Sequence, residues 1–140
     1  PARLARKMGA GSGQRPLMGR VATRLCRADS LAEAQAQGFD PEGAGQATVI
    51  ALRYRGDIYL WRNRCPHLDT PMNWRENAFL NARGDLLVCF AHGALFEPDS
   101  GRCIQGACLG QRLTPLKWAV DAQGWLILRE SINDETGNVG

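Results

Sequence analysis

The chain has 140 residues, 44% hydrophobic and 22% charged, which is one domain's worth of sequence and excludes a disordered tract or a coiled coil. Its formal net charge of +3 conceals an asymmetry: Arg3, Arg6, Lys7, Arg15, Arg20, Arg24 and Arg27 precede the first acid, Asp29, and from Asp29 onward, that residue included, ten basic residues face fourteen acidic ones. No apolar stretch approaches the ~20 residues of a membrane-spanning helix, so no membrane span is expected.

Residues 1–20 read as a basic, flexible N-terminal arm. The arm has neither interleaved aromatic residues nor an amphipathic period, which argues for a solvated segment and against a nucleic-acid or lipid contact. It also lacks the roughly 7–15 residue apolar core of a secretory signal, so a cytoplasmic, reducing location is expected. The domain proper is expected at 21–130, followed by a tail at 131–140. Cys26 falls on an early strand. Ser30 and Glu33 form a capping-box pattern that predicts a short helix over 31–37, ended by Gly38. The rest reads as β: 48–54 and 58–61 flank Arg55-Gly56-Asp57, and 86–89 follows a second Arg-Gly-Asp turn. Further on, 94–96 and 102–104 flank Pro98-Asp99-Ser100-Gly101, and 116–120 and 125–128 flank Asp121-Ala122-Gln123-Gly124. Short strands with regular turn punctuation indicate an antiparallel sandwich or barrel-like fold. The four tryptophans, with Leu113, Leu116, Val120, Leu126, Ile127 and Leu128, are assigned to the core.

Chemistry concentrates in Cys65-Pro66-His67-Leu68-Asp69 and Cys89-Phe90-Ala91-His92-Gly93. The chain has only 2 histidines, and each lies within three residues of a cysteine. Two loops that each bring two donors can close a metal site between them. Two cysteines and two histidines admit a tetrahedral zinc ion, or a [2Fe-2S] cluster with both thiolates on one iron and both imidazoles on the other. Zinc fingers usually pair like with like, whereas here each loop holds one cysteine and one histidine.

This mixed pairing, Cys-x-His followed by Cys-x-x-His-Gly, resembles the Rieske family, and His92-Gly93-Ala94-Leu95-Phe96 before Pro98-Asp99-Ser100-Gly101 is similar to that family's second-loop hairpin. The resemblance implies an all-β, Rieske-like antiparallel β-sandwich with a smaller cluster-binding subdomain at about 63–110 and one short helix. It implies one [2Fe-2S] cluster with Cys65 and Cys89 as thiolate ligands of an inner iron and His67 and His92 as imidazole ligands of an exposed outer iron.

Departures from the family pattern point to one branch of it. The family's high-potential members carry a bridging cysteine on each ligand loop, and the corresponding places here are Thr70 and Ala91. Those members also donate hydroxyl hydrogen bonds from positions occupied here by Ala94 and Phe96. The resemblance therefore implies a low-potential Rieske-type ferredoxin, nearer about −150 mV than about +300 mV. The spacer of 21 residues between His67 and Cys89 is longer than usual, with the excess placed at 73–77. Trp74 within it is expected to cover the core, or else to serve as an exposed docking contact; Phe90 is expected to shield the cluster. Cys108 is expected near the cluster but not as a ligand, with Cys103 and Cys108 as buried thiols or, alternatively, a disulfide. Asp69 and Glu97 read as solvated acids.

The function implied is a soluble one-electron carrier, not itself an enzyme, that passes electrons from a reductase to an oxygenase-type acceptor. A catalytic Rieske oxygenase needs a second iron held by two histidines and a carboxylate, and both histidines are already assigned. The alternatives are a structural or redox-sensing subunit of a larger reductase or oxygenase, and a structural zinc domain.

Overall fold

The computed structural model describes residues 22–66 and 70–130; the arm at 1–20 and the tail at 131–140 lie outside them. The described residues carry the strands β1 (Thr23–Arg27), β2 (Gln35–Phe39), β3 (Val49–Tyr54), β4 (Asp57–Arg62), β5 (Leu87–Cys89), β6 (Ala94–Phe96), β7 (Cys103–Gln105), β8 (Trp118–Val120) and β9 (Trp125–Leu128). They pair antiparallel in three three-stranded sheets ordered β1-β9-β8, β2-β3-β4 and β5-β6-β7. Contacts divide the described residues into two units, one formed by those up to Ala28 and from Lys117, the other by those within Asp29–Leu116.

In the first unit, the β8–β9 turn is held by Asp121, whose carboxylate accepts from the N–H groups of Gln123 (3.0 Å) and Trp125 (2.9 Å) and from Arg24 Nε (3.2 Å). Burial pushes the Asp121 carboxyl up, but the Trp125 and Gln123 N–H groups and the Arg24 guanidinium outweigh it and hold it below the usual range. Leu126 and Leu128 point inward and are buried, as the period-2 alternation of a strand requires.

The second unit holds the main core. β3 is the central strand of its sheet, and Val49, Ile50, Ala51 and Leu52 are all buried. Its hairpin to β4 turns through Arg55 (φ +53°) and Gly56 (φ +85°), a mirror-image turn whose twist suits paired strands. Phe79, Phe96, Leu87, Met72 and Leu113 fill the space between the β2-β3-β4 sheet and the β5-β6-β7 sheet together with four cysteines, Cys65, Cys89, Cys103 and Cys108.

Two expectations are corrected. No α-helix forms over 31–37; the only helical turn among the described residues is a 3₁₀ turn at Ala28–Ser30, and residues 35–39 extend as β2. The Glu33 carboxylate, free of a capping role, instead accepts from the N–H groups of Arg55 (2.5 Å) and Gly56 (2.9 Å) across the β3–β4 turn. Burial of Ala36 against β3 outweighs the weak local helix preference. Of the four tryptophans only Trp61 is buried, its Nε1–H donating to Pro98 O at 3.0 Å. Trp118 and Val120 face outward on the edge strand β8, Ile127 and Trp125 are half-buried, and the guanidinium groups of Arg24 and Arg27 lie over the Trp125 ring.

Candidate metal centre

Cys65 follows β4 on a short connection through Asn63 and Arg64, and its N–H donates to Thr70 O at 2.7 Å. Asn63, itself buried, organises this loop: its Nδ2 donates to Ala47 O and Asn73 Oδ1, and its Oδ1 accepts from Met72 N, each at 2.9 Å. Met72 O in turn accepts from Phe90 N at 2.9 Å, which ties the first loop to the second. Nothing in the sequence marks Asn63 as special; only the fold shows that one amide serves three groups. Asn63→Ala leaves the buried Met72 N–H without its acceptor and is expected to lower the unfolding free energy by about 2 kcal/mol, read from urea unfolding. An unchanged midpoint would contradict this role.

The second loop begins where β5 ends. Cys89 pairs with Ala94 across the hairpin, and the N–H groups of His92 (3.2 Å) and Gly93 (2.6 Å) both return to Cys89 O. Gly93 completes the turn at φ +77°, a conformation that costs glycine nothing. The turn folds His92 back over its own strand, with Nδ1 3.4 Å from Cys89 Sγ. Cys65, Cys89 and His92 thereby offer ligand atoms that all lie within 4.8 Å of one another. His67, with Leu68 and Asp69, lies outside the described residues.

The three donors differ in environment. Cys65 and Cys89 are fully buried, whereas His92 is solvent-accessible. Burial, and after it the adjacent Cys65 thiol, push the Cys89 thiol up, while the N–H groups of Ala91 and His92 aimed at its sulfur pull the other way. Such N–H groups are placed to stabilise a thiolate once a metal displaces the proton. Burial, followed by contacts with Cys103 and Cys65, pushes the Cys108 thiol up to about 12. All five cysteines are free, so Cys103 and Cys108 are the expected buried thiols and not a disulfide.

A metal–sulfur centre fits these residues. Two buried, unbridged thiols and one accessible imidazole are a soft donor set open to solvent on the imidazole side. Beside Cys65, the buried Thr70 Oγ1 has no hydrogen-bond partner among the described residues, as expected of a hydroxyl that borders a polar group. Ala94 and Phe96, both buried, offer no side-chain donor. Trp74 does not cover the core: it is 62% exposed, packs against Phe90 with ring centroids 6.3 Å apart, and carries the Arg75 guanidinium over its face. Phe90 itself is 39% exposed. Glu97 is half-buried and accepts from Ser100 Oγ at 2.5 Å, so it is not a plain solvated acid.

A family model for the Rieske [2Fe-2S] domain matches residues 22–122. The chain belongs to the Rieske [2Fe-2S] domain family. Its fold is that of Rieske ferredoxins. It resembles the ferredoxin of carbazole 1,9a-dioxygenase from Nocardioides aromaticivorans IC177, with a TM-score of 0.59 and 18% identity over 79% of this chain and 98% of that one. It also resembles the Sphingomonas yanoikuyae B1 ferredoxin, with a TM-score of 0.55 and 15% identity over 77% of this chain and 97% of that one. A third similar structure is a chain in the complex of reduced oxygenase and oxidized ferredoxin in carbazole 1,9a-dioxygenase, with a TM-score of 0.59 and 18% identity over 77% of this chain and 92% of that one. No curated protein matches the sequence. No helix among the described residues of this Rieske domain is long and apolar enough to cross a membrane.

Proposed function

We propose that this Rieske domain is a one-electron carrier that binds a single [2Fe-2S] cluster through Cys65, His67, Cys89 and His92, accepts electrons from a reductase and delivers them to an oxygenase. The observation that carries this reading is the meeting of Cys65, Cys89 and His92 within 4.8 Å, with the thiols buried and the imidazole accessible. Bound there, the cluster supplies a one-electron couple. Cys65 and Cys89 bind as thiolates on the dry side, and the N–H groups of Ala91 and His92 offset the charge on the Cys89 sulfur. His92 presents its ring at the surface, where a partner can approach. The exposed Trp74–Phe90 pair flanks the second loop and adds apolar contact area without closing over it.

The oxygenase acceptor is supported by the likeness to ferredoxin chains solved with oxygenases, and the absence of a catalytic role by the need of all four donors for one cluster. The buried Ala94 and Phe96, which donate no hydrogen bond, support a potential nearer about −150 mV than about +300 mV. The reading of the cysteines as thiols and cluster ligands goes with a reducing, cytoplasmic setting. The test is iron, sulfide and zinc content of anaerobically purified protein, with an EPR spectrum after dithionite reduction. Two irons and two sulfides per chain with a Rieske-type signal are expected; one zinc and no signal would overturn the reading and make this a structural metal domain.

A further inference from the structure

The sheet β2-β3-β4 ends at β2, beside a groove of about 450 Å³ that residues 34–37 share with Phe90 and with residues of the 74–80 segment. Gly38 N–H points away from β3, to Asn77 Oδ1 at 2.8 Å. Residues two apart on an antiparallel strand turn their backbone groups the same way, so the N–H and C=O of Ala36 also point away from β3, toward the groove that this residue lines. Among the described residues no strand pairs with that edge. An open strand edge beside a groove is a template for an added strand.

The segment that shares the groove is held in place before any partner arrives. Ala78 N–H and Asn73 Nδ2 both donate to Arg75 O, at 3.0 and 3.1 Å, and Asn73 Oδ1 accepts from the buried Asn63 at 2.9 Å. This bracing holds Trp74 against Phe90 while 62% exposed, with the Arg75 guanidinium 4.8 Å from its ring centroid. Braced side chains lose little freedom on binding, and exposed Trp and Arg are the residues that most often carry binding energy. Arg75 is the only charged residue among those described as lining the groove, so charge complementarity selects a carboxylate. Phe90 directly follows Cys89, so the groove reaches the second loop, where His92 is accessible. We propose that this groove takes an extended, acidic segment of the oxygenase acceptor, which pairs its backbone with Ala36 as an added strand, rests an apolar side chain against Trp74 and Phe90, and sets a carboxylate on Arg75. The proposal rests on the reading of this protein as a carrier that supplies an oxygenase.

The experiment titrates the full chain, loaded with its cluster, with the peptide acetyl-Asp-Leu-Val-Leu-Asp-amide in a calorimeter. Two further peptides are compared: one with lysine in place of both aspartates, and one N-methylated at the valine, whose backbone cannot donate to Ala36 O. Saturable binding of the acidic peptide is expected, about tenfold weaker in Trp74→Ala and about threefold weaker in Arg75→Gln. The lysine and N-methylated peptides should bind less well than the acidic one. Trp118→Ala, which removes an exposed ring on β8, should bind as the wild type does. No saturable binding at millimolar peptide, equal binding of the lysine or N-methylated peptide, or undiminished binding by Trp74→Ala would each overturn the proposal. So would a wild-type dimer in sedimentation that Trp74→Ala abolishes, which would make a second copy of this chain the occupant. Iron, sulfide and the EPR signal separate this claim from the carrier reading: Trp74→Ala should keep all three, whereas a wild type without iron fails as a carrier whatever the peptide does.

Discussion

Cys89→Ala is expected to leave the purified protein without its iron and sulfide. The side chain is fully buried, its sulfur sits 3.4 Å from His92 Nδ1, and it lies within 4.8 Å of the Cys65 sulfur. Alanine removes one of the two proposed thiolates, and among the described residues no other set of three His, Cys, Asp or Glu donors comes together. The fold tolerates the change: deleting one buried methyl-sized group costs about 1 kcal/mol, against a domain stability on the order of 5–15 kcal/mol. Circular dichroism of the metal-free variant should therefore overlay that of the metal-free parent. Cys65→Ala and His92→Ala should lose iron in the same way, whereas Cys26→Ala and Cys103→Ala should retain it. Wild-type iron and an unaltered EPR signal in Cys89→Ala would sink the ligand assignment.

The second large effect falls on stability. Gly106 sits at φ +115°, where side chains are strained, and a Cβ would lie 2.9 Å from Ala94 Cα and 3.0 Å from Ala94 Cβ. Ala94 cannot retreat without breaking its register with Cys89. Backbone strain of about 1–3 kcal/mol and overpacking of similar size combine, so Gly106→Ala should cost about 3 kcal/mol in urea unfolding. Gly110 is the matched control: it has φ +89° with nothing within 4 Å of the added carbon, so its alanine variant suffers only the backbone part, about 1 kcal/mol. Equal losses in the two variants would show that the approach of the Gly106 backbone to β6 is not tight.

The strands and turns were legible because each turn carries its own chemistry. Arg55-Gly56 and the Asp121–Gly124 turn announce their hairpins locally, and the observed strands begin within a residue or two of the expected positions. The segment at 31–37 was misread because its pattern is equally compatible with a capped helix and an edge strand, and only pairing with β3 decides between them. Trp74, Trp118 and Trp125 were placed in the core because hydrophobicity alone does not reveal which face of a short strand or loop turns outward. At the centre, the spacing of Cys89 and His92 already implies that their side chains meet, because both lie in one turn. The roles of Asn63 and Thr70 were hidden, since a buried amide that bonds three groups and a buried hydroxyl without a partner become visible only when distant segments meet.

The hairpin that joins Cys89 to Ala94 also orders events in time. Cys89 and His92 are placed by one turn, and hairpins of this kind close in about 1–10 μs. Cys65 reaches them only after the longer segment between β4 and β5 has closed and Asn63 has gathered Ala47, Met72 and Asn73 around itself. Assembly is therefore expected to run in sequence: the second loop sets Cys89 beside His92 early, on a local element, and the buried Cys65 thiol joins them last.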